Sequence, residues 1–139
     1  MNLIDNPDNY ARRGIAQLAL KGFFSVANRW KLNRTEAMNL LGLTATSTYA
    51  NWKNGKPGTI PRDTLERISY ILHIDETLRH ALGDDAAYRW LKIPNPAPVF
   101  ESLSPLERML QGNVVDIYTV SQHTPKQLRS LERQTALIE

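Results

Sequence analysis

The chain has 139 residues, of which 42% are hydrophobic and 22% charged, a composition typical of a folded domain rather than a disordered segment. It contains no cysteine, which excludes disulfide bonds, thiolate metal sites and a cysteine nucleophile. The N-terminus lacks the pattern of a signal peptide, and no window approaches the roughly 20 apolar residues of a membrane helix, so we expect a cytoplasmic protein without a membrane partner.

The charge is distributed unevenly along the chain. Residues 1–60 hold eight Lys/Arg against three Asp/Glu, which leaves +5, whereas the remainder carries −2. A basic half of this kind is typical of a surface that faces phosphate groups. The alternative, a solvated surface that happens to be basic, remains open at this point.

The first predicted element is a long amphipathic helix over residues 9–30. Apolar residues recur there at three- and four-residue steps, the period of a helix that buries one face. The residues expected on the buried face are Ile15, Leu18, Ala19, Val26 and Trp30.

Two short helices separated by a glycine turn follow. The first covers residues 34–41, with Asn33 or Thr35 as its N-cap, and Gly42 supplies its C-terminal stop. The second covers residues 47–53 and is broken by the Asn-Gly-Lys-Pro-Gly segment that follows it. Its inner face is expected to carry Tyr49 and Trp52. This layout is that of a helix-turn-helix.

The outer face of the second short helix is rich in hydroxyl and amide groups, which suit base edges in a major groove about 12 Å wide. Asn51 can pair with adenine through two hydrogen bonds, and Lys53 and Lys56 are placed for phosphate. For Thr44 the alternative of a helix-capping hydroxyl stays open. The candidate DNA-binding residues are Thr44, Thr46, Ser47, Asn51, Lys53, Asn54 and Lys56.

The rest of the chain also predicts helices. A fourth helix starts at Pro61, and a fifth, with Asp75-Glu76 as charges near its N-terminus, ends at Gly83. Shorter helices are predicted over about 86–91, 105–111 and 113–122, and a final helix starts at Pro125. No segment shows sustained period-two alternation, so the predicted fold class is all-α. We expect a helix-turn-helix domain over residues 1–83 and a second helical domain over 84–139.

The titratable residues do not form the pattern of an active site. His73, His80 and His123 lack the spacing of zinc ligands, and surface or capping roles are the more common use of such residues. Adjacent acidic residues diverge around a helix and make poor acid–base pairs. We therefore predict no catalytic residue, no metal site and no cofactor, and a protein that is not an enzyme.

Between Lys31 and Gln122 the sequence resembles the bacterial antitoxins that join an Xre-like helix-turn-helix to a toxin-binding domain of the MbcA/ParS/Xre kind. The glycine pair usual in that family before the Ser-Pro-Leu helix is replaced here by Phe100-Glu-Ser102. The segments that carry the resemblance are Glu36-Ala-Met-Asn-Leu-Leu-Gly-Leu43, Asp63-Thr-Leu-Glu-Arg-Ile-Ser69, Ala87-Tyr-Arg-Trp-Leu91, Pro94-Asn-Pro96, Ser104-Pro-Leu106 and Met109-Leu-Gln-Gly112.

The resemblance implies two activities. The N-terminal domain would bind the promoter of its own operon, at an inverted repeat, as a homodimer or larger assembly, and repress it. The C-terminal domain would neutralise a cognate toxin of the RES type, which degrades NAD. The implied toxin-binding residues are Tyr88, Trp90, Pro94, Asn95, Phe100, Leu128, Leu131, Arg133 and Ile138. For the aromatic residues and the final helix, a place in the protein's own core or in a contact with a second copy remains open.

Two further classes of function also remain open. The first is a stand-alone helix-turn-helix transcriptional regulator without a toxin partner. The second is an interaction module that has lost DNA binding. A neighbouring gene for a RES-type protein would separate the antitoxin from both.

Overall fold

A computed structural model describes the backbone of residues 7–124 and the side chains of residues 14–124. Within this range every regular element is a helix and no strand occurs, so the predicted all-α class is confirmed. The helices are α1 (Pro7–Arg29), α2 (Arg34–Leu41), α3 (Thr46–Lys53), α4 (Arg62–Leu82), α5 (Asp84–Lys92), a 3₁₀ helix (Pro98–Phe100), α6 (Pro105–Met109) and α7 (residues 114–124).

Helix α1 buries a different face from the one predicted. Ile15 and Leu18 are 60% and 71% exposed, so their assignment to the core is wrong, whereas Val26 and Trp30 are buried as expected. The apolar residues of α1 satisfy a helical period in two registers, and packing selects the register that contains the larger Phe23. The buried residues of α1 are Ala16, Leu20, Phe23, Val26 and Ala27, with Trp30 just beyond its end.

Helix α2 has the predicted bounds and caps. The Asn33 Oδ1 atom accepts a hydrogen bond from the Glu36 N–H at 2.8 Å, and Glu36 Oε1 accepts one from the Asn33 N–H at 3.0 Å. This reciprocal pair is a capping box, so Asn33 is the N-cap. Gly42 ends the helix with φ 75°, in the left-handed region that favours glycine.

Helix α4 replaces the two helices predicted over residues 61–83. The helix continues through Asp75, which is buried and whose Oδ2 atom lies 3.4 Å from Nη1 of Arg79, one turn later. The prediction of Asp75-Glu76 as charges near a helix start is therefore wrong. No Gly or Pro interrupts the segment, and the helix therefore has no local reason to stop. Its buried apolar residues are Ile68, Ile71, Ile74 and Leu78.

The chain divides into two compact units between Ser69 and Tyr70, within α4. We call residues 1–69 unit 1 and residues 70–139 unit 2. The division reflects how densely residues pack within each unit. It does not test whether two domains fold independently, so the domain boundary predicted after Gly83 stays a prediction. No helix in the described part of the chain is long and apolar enough to cross a membrane.

Unit 2 packs around the fully buried ring of Phe100. Trp90 meets it edge-on with a centroid distance of 6.0 Å, and the His123 ring does so at 6.2 Å. Helix α6 starts with a second capping box, in which Ser104 and Glu107 exchange hydrogen bonds of 3.1 Å. The short α6 is thus fixed at its start by local bonds, and α5 packs against it.

Candidate nucleic-acid interface

Helix α3 is anchored to unit 1 by its two aromatic residues. Tyr49 and Trp52 are 7% and 4% exposed, as predicted, and the ring of Tyr49 meets that of Phe24 of α1 edge-on with a centroid distance of 5.7 Å. Rings of this size contribute much of the buried apolar area of a short helix. The anchoring therefore determines which face of α3 is turned to solvent.

The outer face of α3 is exposed and uncharged. Successive residues are rotated by about 100° around a helix, which places Ser47 almost opposite the midpoint of Tyr49 and Trp52, with Ala50 and Asn51 on either side of it. Thr48 is half-buried, so among the neighbouring hydroxyl residues Thr46 and Ser47 are the exposed ones. The exposed residues of this face are Thr46, Ser47, Ala50 and Asn51.

The N-terminus of α3 has no side-chain cap. Its N-cap is Ala45, so the alternative of Thr44 as the capping residue is wrong. Thr44 is exposed in the preceding turn. The first N–H groups of a helix have no partner within it and carry a partial positive charge, which favours anions. In contrast to α2 and α6, α3 therefore starts without a side-chain acceptor for these groups, as does α5 after Gly83.

The C-terminal end of α3 is closed by backbone hydrogen bonds. The Asn54 N–H donates to the Ala50 carbonyl at 3.0 Å, and the Lys56 N–H donates to the Asn51 carbonyl at 2.8 Å. These bonds hold Lys53, Asn54 and Lys56, all exposed, close to the end of the helix. The Lys53 Nζ atom lies 6.0 Å from the Tyr49 ring centre, so this amine leans toward the α1 side of α3.

The turn before α3 is held by Thr64 and Arg67 of α4, which belong to a segment that carries the family resemblance but were not among the candidate site residues. The Thr64 hydroxyl donates to the Leu41 carbonyl at 3.3 Å, and Arg67 Nη1 donates to the Asn39 carbonyl at 3.4 Å. Arg67 Nε also donates to Asp63 Oδ2 at 2.9 Å. The Leu41 carbonyl at the end of α2 thus has a partner on α4, and the Asn39 carbonyl accepts both from the Gly42 N–H at 3.0 Å and from Arg67. No sequence signal indicates these pairings, because the partners lie 23 and 28 residues apart.

The candidate toxin-binding residues of unit 2 differ in how far they are exposed to solvent. Tyr88 and Trp90 are half-buried, and Pro94 is exposed. Asn95 is half-buried, and its side-chain carbonyl accepts the Ala97 N–H at 3.0 Å. Phe100 is fully buried, so its assignment as a direct toxin contact is corrected: its ring belongs to the core because Trp90 and His123 enclose it. Leu128, Leu131, Arg133 and Ile138 lie outside the described residues.

Unit 2 also exposes three large apolar residues that were not among the candidates. Ile93 is 57% exposed, Val115 60% and Tyr118 43%. Residues 115 and 118 are three apart on α7 and share a face, and the Tyr118 ring meets that of Tyr70 edge-on at 5.3 Å. The helical period places residues 115 and 118 on one face, but it does not by itself indicate whether that face is buried or exposed.

The described residues contain no group of three His, Cys, Asp or Glu side chains that could hold a metal ion. His73 and His80 are exposed on α4. The His123 Nδ1 atom lies 3.0 Å from the Thr119 carbonyl oxygen, one turn earlier on α7. The candidate DNA-binding residues, by contrast, lie on and beside the exposed polar face of α3.

Comparison with known proteins defines the class of this chain. Residues 11–73 match the family model of the antitoxin Xre-like helix-turn-helix domain, which covers α2, the glycine turn and α3. The protein is thus an all-helical protein with an N-terminal Xre-like helix-turn-helix domain, and this domain family is regulatory rather than catalytic.

The chain belongs to the same family as a protein of Sinorhizobium fredii (strain NBRC 101917 / NGR234) named "Uncharacterized protein y4oB". The two are 42% identical over 109 residues, which cover 78% of this chain and 82% of the relative. No solved structure matches the chain.

Proposed function

We propose that this protein is an antitoxin: unit 1 binds the promoter of its own operon and represses it, and unit 2 binds and neutralises a cognate toxin in the cytoplasm. The observation that carries the proposal is the exposed polar face of α3, anchored by Tyr49 and Trp52 within an Xre-like helix-turn-helix antitoxin domain. Such a face offers hydrogen-bonding groups to base edges, and its lysines offer charge to phosphates.

The DNA-binding residues have separate roles in this proposal. Ser47, Ala50 and Asn51 face the major groove, and Asn51 supplies the adenine contact. Lys53, Asn54 and Lys56 contact the phosphate backbone at the C-terminal end of α3, while its uncapped N-terminus receives another phosphate. Thr44, in the preceding turn, and Thr46, at the first position of α3, flank the groove-facing residues.

The toxin-binding part of the proposal rests on the resemblance and on exposed apolar surface. Tyr88, Trp90, Pro94 and Asn95 border the surface of unit 2, to which we add Ile93, Val115 and Tyr118. Exposed apolar side chains of this size favour a protein partner when they form a patch. A RES-type toxin and a C-terminal helix with Leu128, Leu131, Arg133 and Ile138 at the contact belong to the same proposal.

Titration onto DNA tests the first activity. We expect binding to the upstream region of the gene to exceed binding to a scrambled duplex of equal length, with an affinity that falls steeply as salt rises. Asn51→Ala should reduce the preference for the upstream region, by about 1–3 kcal/mol if the adenine contact is made. Lys53→Ala should weaken both duplexes equally and lower the salt slope by about one.

Asn28→Ala, an exposed asparagine on α1, is the matched control for Asn51 and should leave both affinities unchanged. Equal affinity of the wild-type protein for the two duplexes would contradict sequence-specific binding. If Asn51→Ala and Lys53→Ala behave alike, the assignment of the groove-facing side of α3 is wrong.

Co-expression with the product of the neighbouring gene tests the second activity. A chain that ends at Thr124 retains every described residue, including Thr124 itself, which is buried and bonded to the Val120 carbonyl at 2.8 Å. We expect this truncated chain to bind DNA normally and to lose protection against the toxin. Full protection by the truncated chain would place the inhibitory contact between residues 84 and 124.

A stand-alone transcriptional regulator is the second candidate function. It is favoured by the extent of the family match, which ends at residue 73 and leaves most of unit 2 unassigned. A regulator of this kind predicts specific DNA binding without any toxic neighbour. Growth arrest on expression of the neighbouring gene, relieved by this protein, would decide for the antitoxin.

A further inference from the structure

Unit 1 contains a cleft between α1, α3 and the loop of residues 54–57 that lies behind the proposed DNA-binding face. Its volume is about 690 Å³, and its apolar lining includes Phe24 of α1 and Tyr49 and Trp52 of α3. The volume falls within the range of about 300–1,000 Å³ that is typical of small-molecule sites. Phe24 is half-buried and offers apolar surface to the cleft, while the almost fully buried Tyr49 and Trp52 lie behind it, an arrangement that favours a ligand with a flat apolar body.

The charge around the cleft has one sign. Lys21 of α1 and Lys53 of α3 belong to its lining and are both exposed, and none of the lining residues is acidic. The Lys53 amine already leans over the Tyr49 ring, at 6.0 Å from its centre, and thus toward the cleft. Two ammonium groups beside an aromatic lining are complementary to an anionic head group on an aromatic ligand.

We propose that this cleft binds a small organic anion with a planar aromatic body, and that its occupation weakens the binding of DNA. The second part rests on the proposed function. Its physical cause is competition for one charge, because a bound anion partly neutralises the Lys53 amine, which then attracts a phosphate of DNA less strongly. In addition, Tyr49 and Trp52 are both lining residues of the cleft and anchors of α3.

The probe for the first part is 1-anilinonaphthalene-8-sulfonate (ANS), an aromatic anion, titrated onto the full-length protein by calorimetry. We expect one site with a Kd on the order of tens of micromolar, as is common for a ligand of this size. In ¹⁵N NMR spectra of the wild-type protein, the indole signal of Trp52 should shift and that of Trp90 in unit 2 should not. A shift of Trp90 alone, or no binding below about 1 mM, would overturn the proposal.

Variants locate the site. Ser25→Trp places a large side chain on the cleft wall and should raise the Kd for ANS at least tenfold, whereas Ser69→Trp, an exposed serine of α4 outside the cleft, should not change it. Lys21→Gln and Lys53→Gln should each weaken binding by about two- to fivefold, the range of an exposed ion pair. Lys92→Gln is the control, since its amine lies 5.5 Å from the Tyr88 ring centre in unit 2.

An unchanged Kd in a folded Ser25→Trp protein would overturn the site. If Ser25→Trp does not fold, the wild-type NMR shifts and the Lys21→Gln variant decide.

For the second part, ANS at ten times its Kd should lower the affinity for the upstream DNA at least threefold in the wild-type protein and in Ser69→Trp, but not in Ser25→Trp. Binding of ANS at the cleft without any effect on DNA affinity would overturn the coupling and leave the site. Failure of the protein to bind DNA would instead refute the proposed function.

Discussion

Gly42 combines two requirements that no other residue type meets. Its φ of 75° lies in the left-handed region, and a Cβ atom added there would lie 2.9 Å from Arg67 Nε. The guanidinium group cannot move away without loss of its bonds to Asp63 and to the Asn39 carbonyl. The turn between α2 and α3 is thus shaped both by the local backbone and by an arginine 25 positions later in the chain.

A double-mutant cycle separates the two requirements. Gly42→Ala should lower the free energy of unfolding by about 2–3 kcal/mol, of which about 1–2 kcal/mol reflects the left-handed backbone. In an Arg67→Ala background only the backbone part should remain, which gives a coupling energy of about 1 kcal/mol in urea denaturation. Gly55→Ala is the matched control, because Gly55 has a φ of 79° but open space around an added Cβ. Equal losses in the free energy of unfolding for Gly42→Ala and Gly55→Ala would show that the Arg67 side chain moves aside without an energetic cost.

Glu101 and Ser102 hold consecutive left-handed conformations, with φ values of 53° and 68°, at the place where the family resemblance leads one to expect a glycine pair. Both are exposed, and the turn they form brings Leu103 back so that its carbonyl accepts the Asn95 N–H at 3.0 Å. A side chain in this region usually costs about 1–2 kcal/mol relative to the right-handed region. Residues 101 and 102 therefore hold a backbone conformation that glycine would adopt with less strain.

Glycine at position 101 should accordingly stabilise the protein. We expect Glu101→Gly to raise the free energy of unfolding by about 0.5–1 kcal/mol, the relief of strain being partly offset by the greater entropy of glycine in the unfolded chain. Glu101→Ala removes the carboxylate but keeps the strain and should leave stability nearly unchanged. Thermal denaturation of the two variants provides the measurement, and equal gains would assign the effect to charge rather than to the backbone.

At the scale of elements, the four α-helices of nine residues or fewer within residues 7–124 start in two different ways. Helices α2 and α6 start with complete capping boxes, whereas α3 and α5 have no side-chain cap. Helix α3 ends in a backbone-bonded loop with Gly55 in the left-handed region. A helix of eight residues is marginal by itself, so α3 depends on Tyr49 and Trp52 for its stability.

Helices α6 and α7 are joined by an ion pair between Arg108 and Asp116. Arg108 also donates to the Val99 carbonyl at 3.2 Å, and Asp116 accepts the Asn113 N–H at 3.0 Å at the start of α7. Burial by itself raises the pKa of Asp116, but the hydrogen bonds from Arg108 and Asn113, together with the arginine charge, outweigh it and lower the pKa below its usual value.

Because the pKa of Asp116 is lower in the folded than in the unfolded chain, the pair contributes its full stability above the unfolded pKa of about 3.9 and loses it as the pH falls through the folded pKa. Asp116→Asn should cost about 2 kcal/mol at pH 7, and this cost should decrease progressively as the pH falls below about 3.9. Urea denaturation at pH 7, 5 and 3 is the measurement. A cost that does not change between pH 7 and pH 3 would contradict the charged pair.

At the scale of the whole molecule, the small size of α3 predicts a symmetric assembly on DNA. A specific protein–DNA complex usually buries about 1,000–2,500 Å² of protein surface, more than one eight-residue helix supplies. We expect a dimer on an inverted repeat whose half-sites are about 34–36 Å apart, one turn of the DNA. Footprinting with light scattering tests this, and a monomer protecting a single half-site would refute it.

Features that depend on neighbours within one helical turn could be predicted from the residues alone. The stop at Gly42, the bounds of α2 and the inward pair Tyr49 and Trp52 were predictable, because the 3.6-residue period and the glycine stop are local. For the N-cap of α2 the sequence left Asn33 and Thr35 open, and the capping box identifies Asn33. The polar outer face of α3 follows from that aromatic pair. The all-α class and the helix-turn-helix therefore follow from local sequence patterns alone.

Tertiary packing selected among structural alternatives that are equally compatible with the local sequence patterns. Two registers of α1 satisfy a helical period, and the larger buried volume of Phe23 and Leu20 placed Ile15 and Leu18 outside. Asp75 resembled a charge near a helix start, yet it is buried within α4 beside Arg79. The contacts of Arg67 with the α2 turn and the burial of Phe100 depend on residues distant in sequence. These features depend on close packing between residues that are distant in sequence, so the order of neighbouring residues does not specify them.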